Sequence, residues 1–74
     1  MTGKTKTNVQ IDGRNFTVIG DGSEKYIHSL AAYVDKKIKE MVNKNNKLSS
    51  SMAAILAALN IADELYKALD ELES

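Results

Sequence analysis

The spacing of the hydrophobic positions changes along the chain, and each change marks a new element. Between Thr7 and Ile19 the apolar residues fall on alternate positions, Val9 and Ile11, then Phe16 and Val18, with Asp12-Gly13 between the two pairs. Alternation is the signature of a half-buried strand, and Asp-Gly suits a two-residue type I′ turn, in which both central residues need positive φ. A turn centred there pairs Ile11 with Arg14, Val9 with Phe16 and Thr7 with Val18. That register puts the large apolar side chains on one face of a hairpin. An isolated hairpin is marginal in water, so the face must pack on another element.

Gly20-Asp21-Gly22-Ser23 interrupts the alternation. Asp21, with Glu24 three residues on, has the form of a capping box, and Ser23 is a second cap candidate. From Ile27 the spacing turns helical. Ile27, Leu30, Ala31, Val34, Ile38, Met41 and Val42 make one stripe, backed by Lys36, Lys37, Lys39 and Glu40. Asp35 and Lys39 stand in the favourable i,i+4 order. The polar run from Asn43 to Lys47 ends this helix, and the serines at 49–51 cap the next.

The second helix is apolar on too many sides for a small lone domain. Ile55, Leu59, Ala62, Tyr66 and Leu69 form one stripe, and Ala58, Ile61, Leu65, Ala68 and Leu72 form another. Both advance by threes and fours, the seam spacing of packed helices. A surface helix on a monomer carries one stripe. The chain is expected to cover one itself and a second subunit the other, with Ile55, Leu56, Leu59, Asn60, Ile61, Leu65, Leu69 and Leu72 at the dimer interface. Asn60 either fixes register within that interface or faces solvent between the stripes. No breaker occurs through Leu72, which gives a helix of about 35 Å. Asp70, Glu71 and Glu73 oppose the dipole at its end, so either the helix continues beyond Ser74 or its last turn is frayed and solvated. The pattern as a whole predicts an α+β fold: an N-terminal β-hairpin and amphipathic helix over 1–47, then a long helix of coiled-coil character over 48–74, in one domain.

Composition strengthens the case for association. A chain of 74 residues has a small core and needs disulfides, a metal or oligomerisation to be comfortably stable. It has no cysteine and one histidine, which leaves oligomerisation. Residues 1–47 carry nine basic and five acidic side chains, and residues 48–74 carry one and five, a polarity suited to oriented protein contacts. No signal-peptide pattern is present, and the apolar run from Met52 to Ala62 is too short to span a bilayer, so the expectation is a cytoplasmic protein with no membrane partner.

Candidate chemistry is sparse. His28 has no second histidine or cysteine to complete a metal set, and the serines at 49–51 are explained by capping. Asp63/Glu64 and Asp70/Glu71 are adjacent pairs whose members diverge on a helix, and they read as a solvated face. Gly20 and Gly22 lack the Gly-Lys-Ser/Thr of a phosphate loop. No catalytic, cofactor or metal residues are therefore assigned. Lys36, Lys37, Lys39, Lys44 and Lys47 raise the alternative of a small basic-headed nucleic-acid-binding dimer. Asp35 and Glu40 dilute that cluster, and no aromatic residues are placed for stacking along a strand.

Three segments carry a family resemblance: Val9-x-Ile11-x-Gly13 in the hairpin, Tyr33-Val34-Asp35-Lys36-Lys37-Ile38 in the first helix, and, most specifically, Ala57-Ala58-Leu59-Asn60-Ile61-Ala62-Asp63-Glu64-Leu65. Over roughly residues 7–72 the chain resembles the ZapA family of bacterial cell-division proteins, which bind the tubulin-like GTPase FtsZ. The resemblance implies a non-enzymatic protein at the mid-cell division site, with a head that dimerises and a long helix that joins dimers into tetramers. It also implies that FtsZ filaments are cross-linked through the charged head. Arg14 matches the basic residue after the hairpin glycine that is associated with FtsZ binding in the family, and Lys36 and Lys37 are further candidates. The chain stops where many relatives have several more heptads, so the resemblance implies the dimer more strongly than the tetramer.

Overall fold

A computed structural model describes residues 4–73. Strands β1 (Thr5–Ile11) and β2 (Arg14–Gly20) form an antiparallel two-stranded sheet, followed by helices α1 (Glu24–Lys44) and α2 (Ser50–Glu73). The α+β order is the one that the changes of spacing predict. The hairpin register is also as predicted, with Ile11 opposite Arg14, Val9 opposite Phe16 and Thr7 opposite Val18. Asp12 and Gly13 have φ of 55° and 74°, the left-handed pair that a type I′ turn demands. On the polar face Thr17 donates a hydrogen bond across the strands to Asn8 at 2.9 Å.

The helix limits follow from side-chain caps, with one correction. The Ser23 hydroxyl, and not the Asp21 carboxylate, caps α1: it accepts the Tyr26 N–H at 3.1 Å, and the helix opens at Glu24. With Ser23 at the cap, Asp21 lies two residues outside the helix, so the Asp21–Glu24 spacing is not that of a cap and its third helical residue. Ser49 caps α2 in the same way, accepting the Met52 N–H at 3.2 Å. Between the helices the Asn45 side chain accepts the Lys47 N–H, the kind of local turn that competes with helix.

The chain divides into two compact units, one ending at Lys36 and the other beginning at Lys37. In the first, Val9 of β1 and Ile27 and Ala31 of α1 are buried together, with Ile11 and Val18 packed against them. Leu30 and Val34 join these residues to line an apolar depression of about 140 Å³. Burial across the hairpin face is uneven. Thr7 and Val9 of β1 are buried, whereas Phe16, directly opposite Val9, is 46% exposed. Among the described residues Thr7 Oγ1 is the buried side-chain atom without a hydrogen-bond partner. In the second unit the buried residues are Lys37 and Ile38 of α1 and Ala53 and Ala57 of α2. Among the described residues no helix is long and apolar enough to cross a membrane.

Candidate functional site

The surface of α2 differs from the sequence expectation in a way that matters for association. The chain covers neither large-residue stripe. Ala53 and Ala57, at 0% and 1% exposure, are the residues that α2 buries. Ile55 and Leu59 remain about two-thirds exposed, at 67% and 66%, and Tyr66, Leu69, Leu65 and Leu72 are exposed as well. Ile61 and Ala62 are half-buried. At about 100° of rotation per residue, Glu64 lies within about 20° of Ala53 around the helix, so the alanines and Glu64 share a face. The stripe of Ile55 and Leu59 lies on the far side of the helix, whereas that of Ile61 and Leu65 flanks the covered face, with Ile61 about 40° from Ala57. Asn60, about 20° from Ala53 on the other side, borders the covered face and is half-buried rather than fully solvated.

Lys37 and Glu64 require a second correction. Lys37 is not on a solvated back of α1. It is 9% exposed, and its Nζ donates to Oε2 of Glu64 on α2 and lies 3.7 Å from Oε1 of Glu40 on its own helix. Glu64 is accordingly not part of a solvated acidic face. Its neighbour Asp63 does keep to the surface, where it pairs with Lys67 at 3.0 Å in the i,i+4 geometry. The physical reason is length: a lysine stem can lie along an apolar surface while its ammonium reaches a carboxylate, so a position beside the stripe becomes part of the packed face.

In the first unit the charged candidates sit at the turn end of the hairpin and on α1. Arg14 opens β2 and is exposed, opposite the half-buried Ile11. Lys36 is exposed on α1. The turn itself is fastened to the helix, because the Asp12 backbone N–H donates to Asp35 Oδ1 at 2.8 Å. The sequence expectation gives Asp35 only a partner on its own helix and misses this contact. No local signal reveals it, since the two residues are 23 positions apart. Among the described residues no group of histidine, cysteine, aspartate or glutamate is arranged to hold a metal ion. What the surface offers is a broad apolar face on α2 and an exposed basic residue beside a tethered turn, both features of protein contact.

Comparison with known proteins agrees with this picture. The family model described as "Cell division protein ZapA" matches residues 7–74. The cell division protein ZapA of Bacillus licheniformis is 40% identical over 70 residues, which covers 95% of this chain and 82% of that protein. The ZapA of Bacillus anthracis is 39% identical over the same share of this chain and 79% of its own length. A solved structure described as a "ZapA mutant dimer from Geobacillus stearothermophilus" superposes with a TM-score of 0.82 at 34% identity, covering 99% of this chain and 85% of that one. With the hairpin, the two helices and the sequence all in agreement, the chain belongs to the ZapA family of cell-division proteins.

Proposed function

We propose that this chain is a non-enzymatic cytoplasmic protein of the mid-cell division site that self-associates through α2 and binds FtsZ filaments, promoting their cross-linking. Family membership supports the division role. The observation that carries self-association is the exposure of both large-residue stripes of α2 in a single chain. Burying one such side chain is worth about 1.5–3 kcal/mol, so leaving them all in water forgoes a large stabilisation for a protein this small. The occupant is a second copy of the chain, a choice supported by the dimeric relative from Geobacillus stearothermophilus.

For the filament contact, the exposed Arg14 and Lys36 are the candidates. Lys37 is withdrawn as a direct contact, since its ammonium is already engaged by Glu64 within the chain. Cross-linking requires two filament-binding heads in one particle, which self-association through α2 provides. Two measurements test the reading. Sedimentation equilibrium at micromolar concentration should give a mass of at least twice the 8.1 kDa chain, and a stable folded monomer would refute self-association. The protein should also pellet with GTP-assembled FtsZ filaments, and its absence from the pellet would refute the filament contact.

A further inference from the structure

The 2.8 Å hydrogen bond from the Asp12 N–H to Asp35 Oδ1 joins the hairpin turn to α1 between the two basic candidates for the filament contact. Its donor is two residues before Arg14, and its acceptor is the residue before Lys36. Chain connectivity alone keeps the Arg14 Cα within about 8 Å of that of Asp12, and the Lys36 Cα about 4 Å from that of Asp35. The turn has a donor to spare. In a two-residue hairpin the flanking pair, here Ile11 and Arg14, exchange backbone bonds with each other. The N–H of the first turn residue then has no acceptor in the ladder, and Asp35 takes it. Ile11 and Val34, the chain neighbours of Asp12 and Asp35, line the apolar depression. That apolar contact is non-directional and leaves the angle between hairpin and helix to other forces.

We propose that Asp35 is a positioning residue for the filament contact: by accepting the Asp12 N–H it holds the turn against α1 and fixes the separation at which Arg14 and Lys36 meet acidic groups on the filament. The proposal rests on the filament reading above and deepens it. Two charges on separate elements act as a pair only as well as their spacing is held, since ordering a loose pair on binding lowers the affinity. A carboxylate that accepts a backbone N–H is a strong, directional tether. The left-handed φ of Asp12 and Gly13 already shapes the turn, so the tether governs where the turn sits rather than its form. The sign of the effect separates positioning from charge. By charge alone, removing an acidic side chain beside two basic ones strengthens binding to an acidic partner. Positioning gives the opposite result.

The test is a binding cycle on the full chain, read as the filament concentration at which half of it pellets with GTP-assembled FtsZ. Circular dichroism and sedimentation mass are recorded for each variant. Asp35→Ala is expected to bind several-fold more weakly, at unchanged spectrum and mass. Asp35→Asn keeps an oxygen that can accept the same N–H and is expected to bind at least as well as the parent. In an Arg14→Ala background, Asp35→Ala is expected to cause little further loss, because no guanidinium is left to place. Asp35 has interactions besides this one, so a further chain carries an ester in place of the Asp12 amide, which removes the donor and leaves the carboxylate. It is expected to reproduce the loss seen with Asp35→Ala, and it carries the test if Asp35→Ala loses its helical spectrum. Parent-like binding by Asp35→Ala or by the ester chain would overturn the proposal. So would an equal loss in Asp35→Asn, or an undiminished loss in the Arg14→Ala background. A parent that fails to pellet, or an Arg14→Ala variant that pellets like the parent, would instead refute the filament contact itself, and the proposal with it.

Discussion

At Thr7 the hairpin buries a hydroxyl for which the described residues provide no partner. An unsatisfied buried polar group costs on the order of 1–3 kcal/mol, and an apolar replacement of the same shape removes that cost. Thr7→Val is accordingly expected to stabilise the protein by about 1 kcal/mol, read as a higher urea midpoint at unchanged slope. Gly13 tests the opposite effect. A methyl group added there would meet no atom within 4 Å, so only its φ of 74° resists the substitution. Gly13→Ala is expected to cost roughly 1–2 kcal/mol by the same measurement, the penalty of an ordinary residue in the left-handed region. An unchanged midpoint would mean that the turn relaxes to another type. Gly22 is constrained differently, by the Tyr26 ring, which lies 2.6 Å from where its Cβ would sit.

At the scale of the element, α2 has two kinds of face, and substitutions on them are expected to separate folding from association. Ala57 is fully packed within the chain, so Ala57→Leu overfills that contact and should destabilise by about 1–3 kcal/mol in thermal or urea unfolding. Leu59 is 66% exposed within one chain, so Leu59→Asp disturbs little packing there. It places an unpaired charge in the proposed interface between copies, at a cost of several kcal/mol. The expected result is dissociation at micromolar concentration in the ultracentrifuge. A Leu59→Asp variant with the parent's mass would show that this stripe is not the contact between copies.

For the whole molecule, equal numbers of acidic and basic residues conceal a basic N-terminal part and an acidic C-terminal helix. On the proposed reading, filament binding through Arg14 and Lys36 is an electrostatic contact of the first unit, and self-association through α2 belongs to the second. Arg14→Glu should reduce the fraction that pellets with FtsZ filaments several-fold while leaving the circular dichroism spectrum and the oligomeric mass unchanged. Binding by the parent should also weaken as ionic strength rises, because exposed charges are screened beyond about 8–10 Å in physiological salt. Undiminished pelleting of Arg14→Glu would remove that residue from the contact.

The sequence by itself determined what local physics controls. A type I′ turn at Asp12-Gly13 leaves one register in which the apolar residues share a face, and that register is the one observed. The stripe of α1, the break at Asn43 to Lys47 and the serine cap of α2 were legible for the same reason: period, cap and breaker act within a few residues of one another. Local signals were ambiguous where two caps competed, and Ser23 took the place that Asp21 also suggested. The sequence also revealed that α2 has more apolar surface than one contact can use. Which face the chain would cover for itself was decided by the tertiary structure. The contact that Lys37 makes with Glu64 joins residues 27 positions apart, and the fastening of the turn depends on a backbone N–H and a carboxylate 23 apart. Periodicity assigns a residue to a side of its own helix, but pairing between distant elements sets what that side meets.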